Sequence, residues 1–302
     1  IFGLKSSRET FGHRFHANGD LSLHEADGYA EQLRSDAFVI ADMEERKAVI
    51  RQQVEKAAAD VDGQVVIDED LLQEVAGLVE WPVAVVGDFD EEFLDVPSEA
   101  LIKTMQDNQK YFAVLDSDRK IKPHFITISN IDSKSPEKVK AGNERVIRPR
   151  FADAAFFWNQ DKKQPLDAFL LRLEQVVFQK KLGSIGDKCQ RLEKLAEIIA
   201  GQMGADVKQA GRAALLSKCD LMTDMVGEFP SLQGVMGHYY AIASGEEAVV
   251  AIAIEEQYLP RHASDKLPAI SVGQAVAISD RIDTLVGIFA IGQKPTGEKD
   301  PY

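Results

Sequence analysis

The stretch VKQAGRAALLSKCDLMTDMV, residues 207–226, decides the fold of the second half of the chain. Its apolar residues recur at the three- and four-residue spacing of a helix with one buried face. Similar stretches lie on both sides of it, with glycine or proline between them. They cover residues 166–182, 189–203, 233–243, 248–258 and 272–288. Because no strand pattern is convincing after Pro136, we predict an all-helical domain over residues 151–302.

The first half of the chain mixes helical and strand patterns. Helical periodicity predicts two helices, at residues 38–61 and 68–79. Shorter patterns follow, with strands at 83–86, 110–115 and 124–131 and a helix at 98–106. Asp68 is suited to begin the second helix, because its carboxylate can accept backbone N–H groups. We therefore expect a mixed α/β body domain over residues 1–150, in which a strand–helix–strand unit follows the two helices. The predicted class is α+β, mostly α.

The composition is typical of a globular protein and excludes several classes. The chain is 45% hydrophobic and 28% charged. It has neither a secretory signal nor an apolar run near the roughly 18 residues that span a bilayer, so we predict no membrane contact. Cys189 and Cys219 are too few for a disulfide framework or a cysteine-rich zinc site, which favours a reducing cytoplasm. The net charge of −14 argues against non-specific nucleic-acid binding, although a local basic stripe would still suit RNA.

The usual catalytic signatures are missing from the sequence. It contains no Walker-type phosphate loop, no GxGxxG motif after a strand and no GxSxG elbow. His13 and His16 are three residues apart, but no full set of metal ligands surrounds them, and we interpret them as surface residues. We predict neither catalytic residues nor a bound metal.

The densest basic run lies where the two predicted domains meet. It contains three arginines, Arg145, Arg148 and Arg150. Aromatic residues follow at once, namely Phe151, Phe156, Phe157 and Trp158. Arginine forks clamp phosphates, and aromatic faces stack on unpaired bases. Alternatively, the arginines pair with Glu144 and Asp153, and the aromatic residues fill the core. Both readings stay open for the arginines, whereas we favour the core for the aromatic residues.

Two pairs of adjacent lysines are further candidates for RNA contact. They are Lys162 with Lys163 and Lys180 with Lys181. Each pair falls within or beside a predicted helix, where neighbouring lysines more often form only a solvated face. We therefore predict both pairs as RNA-contact candidates, and the alternative is that they form only a solvated face.

Three long blocks group residue types that packing alone would not group. They are MQDNQKYF at 105–112, NERVIRPRFADAAFFW at 143–158, and LSKCDLMTDMV at 216–226 continuing into LQGVMGHYY at 232–240. Together with EQYLPR at 256–261 and AISDRIDTLVGIF at 277–289, they resemble the signature stretches of the bacterial glycyl-tRNA synthetase beta subunit. The resemblance covers nearly the whole chain and is weakest over the first 35 residues. Because the chain opens at Ile1, without a methionine, we expect an internal fragment of such a subunit.

The resemblance implies a division of labour between two subunits. In this family the alpha subunit contains the class II catalytic core and uses ATP and Mg²⁺, while the beta subunit binds tRNA and holds a heterotetramer of two alpha and two beta subunits together. The fragment would then be part of a glycine–tRNA ligase that is inactive alone, has no cofactor of its own, and has the alpha subunit and tRNA-Gly as partners. Lys110, in the first block, joins the RNA-contact candidates on this resemblance.

The helical half also resembles the HD superfamily, whose metal phosphohydrolases hold a divalent cation with a His, a His–Asp pair and a distant Asp. Cys219 stands at the histidine position beside Asp220, and Asp280 matches the distant aspartate. The segment expected to carry the first histidine, residues 189–199, has none. Because two carboxylates without an imidazole make a poor metal site, the resemblance implies a degenerate HD-like domain used for packing and RNA docking. The alternatives are an active HD-type metal-dependent phosphohydrolase and a purely structural scaffold.

Overall fold

Residues 7–293 are described by the computed structural model, and their packing divides the chain inside a long helix, α5 (Pro136–Asp161). Unit 1 ends at Ala154 and unit 2 begins at Ala155. Helices predominate in the described residues and the sheets are small, which confirms the α+β, mostly α class. No helix in the described part of the chain is long and apolar enough to cross a membrane.

Unit 1 is built around a four-stranded antiparallel sheet. Its helices before α5 are α1 (Tyr29–Ala37), α2 (Met43–Ala59), α3 (Glu69–Leu78) and α4 (Ser98–Thr104). Its strands are β1 (Glu9–Phe11), β2 (Asp20–Ser22), β3 (Gln64–Val65), β4 (Val83–Asp88), β5 (Phe112–Leu115) and β6 (Ile121–Ser129). The sheet has the order β3–β5–β6–β4, and β1 pairs only with β2. Apolar residues of α2 and α3, such as Val54 and Leu72, form one core with Phe112 and Ile126 of the sheet.

Aspartate carboxylates cap the starts of α2 and α3. Asp68 accepts the backbone N–H groups of Asp70 and Leu71, which confirms its predicted capping role at α3. The prediction of one helix over residues 38–61 is wrong at its start. Phe38 takes a left-handed backbone conformation that ends α1, and α2 begins only after Asp42, which caps it. The predicted span therefore contains one helix, α2, which starts five residues later than the apolar periodicity indicated.

Unit 2 is predominantly helical. Its helices after α5 are α6 (Leu170–Leu173), α7 (Ile185–Met203), α8 (Val207–Leu216), α9 (Asp224–Glu228), α10 (Val235–Ala243), α11 (Ala248–Glu256) and α12 (Ser271–Ala290). Short 3-10 turns occupy Leu166–Phe169, Cys219–Met222 and Pro230–Leu232. A capping box between Ser184 and Asp187 starts α7, and Gly204 ends it in a left-handed conformation that glycine adopts without strain.

Three predictions for unit 2 are wrong in detail. The helix expected over residues 166–182 is a 3-10 turn and a single helical turn, followed by a hairpin of β7 (Val177–Gln179) and β8 (Gly183–Ser184). This hairpin also contradicts the expectation that no strand follows Pro136. The helix expected over residues 207–226 ends at Leu216, and a new helix starts at Asp224 because the Thr223 hydroxyl caps it.

Candidate functional site

A buried polar cluster lies among the helices of unit 2. We call it the lysine–aspartate cluster; its members are Lys188 of α7, Lys218 after α8, and Asp280 and Asp283 of α12. The side chain of Lys188 is 4% exposed and that of Lys218 is 8% exposed, so both ammonium groups have lost nearly all contact with water. Charges at that depth persist only when they are paired and hydrogen-bonded.

Asp280 binds both lysines. Lys188 Nζ lies 2.7 Å from Asp280 Oδ1, and Lys218 Nζ lies 2.9 Å from Asp280 Oδ2. Burial by itself would raise the pKa of Asp280, but the ammonium charges of Lys218 and Lys188 outweigh it and hold the pKa below its usual value. The carboxylate is therefore ionised at neutral pH and shared between two cations.

Further partners fix the position of Lys188. Its ammonium group donates a hydrogen bond to Thr284 Oγ1 at 2.5 Å and lies 3.6 Å from Asp283 Oδ2. Arg191, one helical turn further along α7, forms two hydrogen bonds with the Asp283 carboxylate, at 2.7 and 3.1 Å. This bidentate pairing leaves Asp280 as the main counter-ion of Lys188.

Lys218 is enclosed by residues at the end of α11. Its ammonium group donates to Gln257 Oε1 at 2.7 Å and lies 4.4 Å from the centre of the Tyr258 ring. Gln257 in turn donates to the backbone carbonyl of Ser217, which fixes the direction of its amide group. Burial lowers the pKa of Lys218 from its usual value, and the charge of Asp280 opposes that shift.

The three predicted HD positions have separate surroundings. Asp280 belongs to the lysine–aspartate cluster, whereas Asp220 Oδ2 accepts the backbone N–H groups of Gly234 and Gly237 at 2.5 and 3.1 Å, at the start of α10. Burial raises the pKa of Asp220 to about 6. Cys219 is completely buried, and burial raises the pKa of its thiol.

These surroundings do not fit a divalent metal site. In residues 7–293, no group of three or more His, Cys, Asp or Glu side chains is arranged to hold a metal ion. Both oxygens of Asp280 already face ammonium groups, and a protonated lysine cannot act as a ligand. The imidazole of His238 contacts Glu255, with its Nδ1 atom 3.1 Å from Glu255 Oε2.

The predicted RNA-contact arginines do not form one surface. Arg145, Arg148 and Arg150 are exposed on α5, where successive side chains turn by about 100°, so Arg148 and Arg150 point about 160° apart. Arg148 pairs with Asp90 at 3.2 Å, a different partner from those expected. In the described part of the chain, Arg145 and Arg150 form no ion pair.

Lys110 has a local partner in unit 1. It follows a short π-helix, Met105–Gln109, takes a left-handed backbone conformation, and pairs with Glu74 at 3.0 Å. The strand predicted from residue 110 therefore begins two residues later, at Phe112. A phosphate at Lys110 would have to compete with the Glu74 carboxylate.

The lysine candidates of unit 2 are exposed but differ in their surroundings. Lys162 lies over the Trp158 ring, 4.3 Å from its centre, and Lys163 donates to Gln160 Oε1 at 2.7 Å. Lys180–Lys181 stand in the turn of the β7–β8 hairpin, which corrects their predicted helical setting. A hairpin tip projects charge into solvent without the neighbouring turns that a helix provides.

Two of the four aromatic residues beside the arginines, Phe151 and Trp158, are buried as predicted, and Phe157 is half-buried. Phe151 is completely buried and meets Phe89 edge to face at 4.8 Å between ring centres, and Trp158 is also buried. Phe156 contradicts the prediction, because it is 61% exposed.

Sequence reasoning missed both lysines of the cluster. Lys188 stands one turn before Leu192 and two turns before Ala196, on the apolar face of α7. A lysine at a core-facing position of an amphipathic helix indicates a buried ion pair, since an unpaired ammonium group is too costly to bury there. That signal was present in the sequence. The partner of Lys188 is Asp280, 92 residues away, and helical periodicity could not predict that pairing.

Comparison with known proteins places the whole chain in one group. The family profile described as "Glycyl-tRNA synthetase beta subunit" matches residues 1–302. The glycine–tRNA ligase beta subunits of Pseudomonas syringae pv. tomato, Pseudomonas fluorescens (strain Pf0-1) and Chromohalobacter salexigens are each 55% identical to it over 302 residues. These matches cover 100% of this chain and 44% of each relative, so the chain spans less than half the length of these proteins.

Proposed function

The chain belongs to the glycyl-tRNA synthetase beta subunit family, and we propose that it is a non-catalytic region that binds and positions tRNA and takes part in subunit assembly. It supports the ATP-dependent attachment of glycine to tRNA-Gly by an alpha subunit, which supplies ATP and Mg²⁺ binding. The holoenzyme is a cytoplasmic heterotetramer of two alpha and two beta subunits. Holding the acceptor arm in place converts binding energy into orientation at an active site on another chain.

The observation that carries the proposal is the chemical state of the buried centre in unit 2. Its lysines are paired with Asp280, so neither ammonium group is available as a base. Burial raises the thiol pKa of Cys189 to about 11, and it raises that of Cys219 as well, which keeps both sulfur atoms protonated and unreactive. A positioning role needs no bond-making group and agrees with this state.

The exposed arginines of α5 are the second observation that supports the proposed tRNA binding. Arg145 and Arg150 are exposed and form no ion pair in residues 7–293, which makes them the first candidates for phosphate contact. Arg148 has Asp90 as a partner and is a natural comparison, because it has the same side chain on the same helix. Phosphate contacts of this kind give a binding constant that falls with salt.

Glycylation by the alpha subunit with full-length beta subunit tests the assignment. We expect deletion of these 302 residues to abolish tRNA charging, while the alpha subunit alone still forms glycyl-adenylate. In the intact beta subunit, Arg145→Ala and Arg150→Ala should each weaken tRNA-Gly binding and reduce the slope of log K against log salt by roughly 0.7–0.9. Arg148→Ala should change the slope less.

Three results would count against the proposal. Equal tRNA binding by parent and variants would reject the arginine assignment, and full charging by the deleted protein would leave only a scaffold role. Nucleotide hydrolysis by the purified chain with Mn²⁺, lost on Asp220→Ala, would favour an active HD-type phosphohydrolase.

A further inference from the structure

The α12 helix has one face packed in unit 2 and an opposite face that is apolar and exposed. Asp280, Asp283 and Thr284 lie on the packed face, where they contact Lys188 of α7. Successive side chains of a helix turn by about 100°, so the opposite face carries a stripe of large apolar residues. These residues are 39–62% exposed, namely Ile278, Ile282, Leu285, Val286 and Phe289. All but Val286 follow each other at intervals of four, three and four residues, which forms a seam of the kind that packs against a second helix.

A cavity of about 280 Å³ lies at the N-terminal end of this seam. Its wall consists of Ile278 and other residues of α12 together with residues of the preceding segment, namely Leu259, Pro260, Leu267 and Pro268. Its two long polar side chains are engaged within the chain: Arg281 donates to four backbone carbonyls, and Gln274 donates to the carbonyl of Pro268. Pockets for small molecules usually hold about 300–1,000 Å³ and have polar groups free to orient the ligand. This smaller apolar cavity suits a single large apolar side chain.

The seam, Val286 and the cavity together form what we call the α12 apolar surface, and its chemistry selects the kind of partner. The charged residues of α12 are Asp280, Arg281 and Asp283, and each is engaged by the contacts described above. The surface therefore offers no free charge to a tRNA phosphate or to a charged protein. A second copy of the chain is disfavoured as well, because each copy carries a net charge of −14. The apolar face of an amphipathic helix fits this surface.

The family comparison indicates where such a helix comes from. The chain accounts for 44% of each curated relative, so more than half of a full-length beta subunit lies outside the matched region. A helix on the same polypeptide reaches an effective concentration on the order of millimolar when the linker is short, which favours it over a separate protein. Contiguous exposed apolar patches on globular proteins mark such interaction sites.

We propose that the α12 apolar surface is the docking site, in the full-length beta subunit, for an amphipathic helix from the part of that subunit outside these 302 residues. The apolar face of this helix packs along the seam, and one of its large apolar side chains fills the cavity. The inference rests on membership of the family and not on the proposed tRNA binding, because none of the candidate RNA contacts belongs to the surface.

Photo-cross-linking in the full-length beta subunit, mixed with the alpha subunit, identifies the occupant. Benzoylphenylalanine in place of Phe289 keeps an aromatic side chain and puts a photoreactive group in the seam. We expect a cross-link within one beta chain, to a peptide outside the 302 residues, which gel mobility and mass spectrometry of the digest identify. Adding Leu285→Asp should lower its yield at least about tenfold, because a carboxylate would be buried against an apolar helix. Ile198→Asp on α7 is the matched control and should leave the yield unchanged, since Ile198 is 59% exposed and Leu285 is 58% exposed.

Thermal unfolding of the 302-residue chain separates loss of docking from loss of the fold. Leu285→Asp and Ile198→Asp both change exposed side chains there, so each should shift the Tm by less than about 2 °C. A larger fall for Leu285→Asp would show that this residue packs inside the chain and would overturn the proposal. A cross-link to the alpha subunit, to a second beta chain or to these 302 residues would also overturn it, as would no cross-link at all or equal yields from the two aspartate variants.

Discussion

Replacing Asp280 with asparagine should strongly destabilise unit 2. The substitution keeps the shape of the side chain but leaves two ammonium groups, 4% and 8% exposed, without their shared counter-ion. Breaking a buried ion pair by removing one partner costs about 3–5 kcal/mol, because the remaining charge stays buried. Asp283, 3.6 Å from Lys188, compensates part of one charge, whereas Lys218 keeps only neutral acceptors. We therefore expect a loss of about 3–4 kcal/mol in the free energy of unfolding.

Urea unfolding followed by circular dichroism measures this loss. The midpoint should fall while the m-value stays unchanged, since the same surface is exposed on unfolding. Glu69→Gln is the matched control, because it removes the carboxylate of an exposed pair with Arg51, in which the two side chains are 64% and 38% exposed. That change should cost less than about 1 kcal/mol.

A second substitution separates charge from shape. Adding Lys218→Met to Asp280→Asn removes one of the uncompensated ammonium groups and should recover part of the lost stability. The reasoning is refuted if Asp280→Asn costs no more than Glu69→Gln, or if the added Lys218→Met change lowers the stability further.

Further predictions concern pH, packing and thiol reactivity. Because the pKa of Asp220 is raised to about 6 from 3.8, the folded state binds a proton in that window that the unfolded state lacks. The parent should therefore gain stability relative to Asp220→Asn by up to about 1.4 kcal/mol per unit as pH falls from about 6 to 4. Gly87→Ala should destabilise unit 1 by about 1–3 kcal/mol, because the new Cβ would lie 2.2 Å from a ring atom of Phe125. Gly77→Ala in α3 is the matched comparison, because the new Cβ meets open space there. It should stabilise unit 1 by roughly 0.5–1 kcal/mol. Cys189 and Cys219 should react with a thiol reagent only on unfolding.

Each of these three predictions can be contradicted by one result. A stability difference between parent and Asp220→Asn that does not change with pH would show that the carboxylate keeps its ordinary pKa. Equal urea midpoints for the two glycine variants would mean that the sheet tolerates the added methyl group. Rapid modification of either thiol in the native chain would contradict its burial.

Apolar periodicity was enough to predict a helix where a capping residue also marks its end. The α3 helix was predictable because Asp68 caps it and the apolar residues of one face pack on the sheet. The start of α2 was not, because Phe38 adopts a left-handed conformation that a bulky side chain rarely takes. The α5 helix escaped prediction since Pro149 lies in its interior, where proline normally ends a helix.

The functional residues were harder to predict than the elements. The prediction that Arg148 and Arg150 form one cluster assumed that residues close in sequence point the same way. Both lie on α5, where the helical rotation directs their side chains to different sides of the helix. The HD resemblance singled out Asp280, but the partners of this aspartate are lysines, which no imidazole pattern could reveal. Tertiary packing decides which distant side chains meet in a core. The spacing of residues in a single sequence does not show those contacts.

The lysine–aspartate cluster also bears on how unit 2 opens. Its members come from segments up to 95 residues apart, Lys188 and Asp283 being the most distant in sequence, so lifting any one segment strands a charge in an apolar interior. Partial openings of α7 or α12 are therefore penalised, and the backbone amides of both helices should show one common free energy of opening in hydrogen exchange, that of complete unfolding. We therefore expect α7 and α12 to open together, as parts of one cooperative unit.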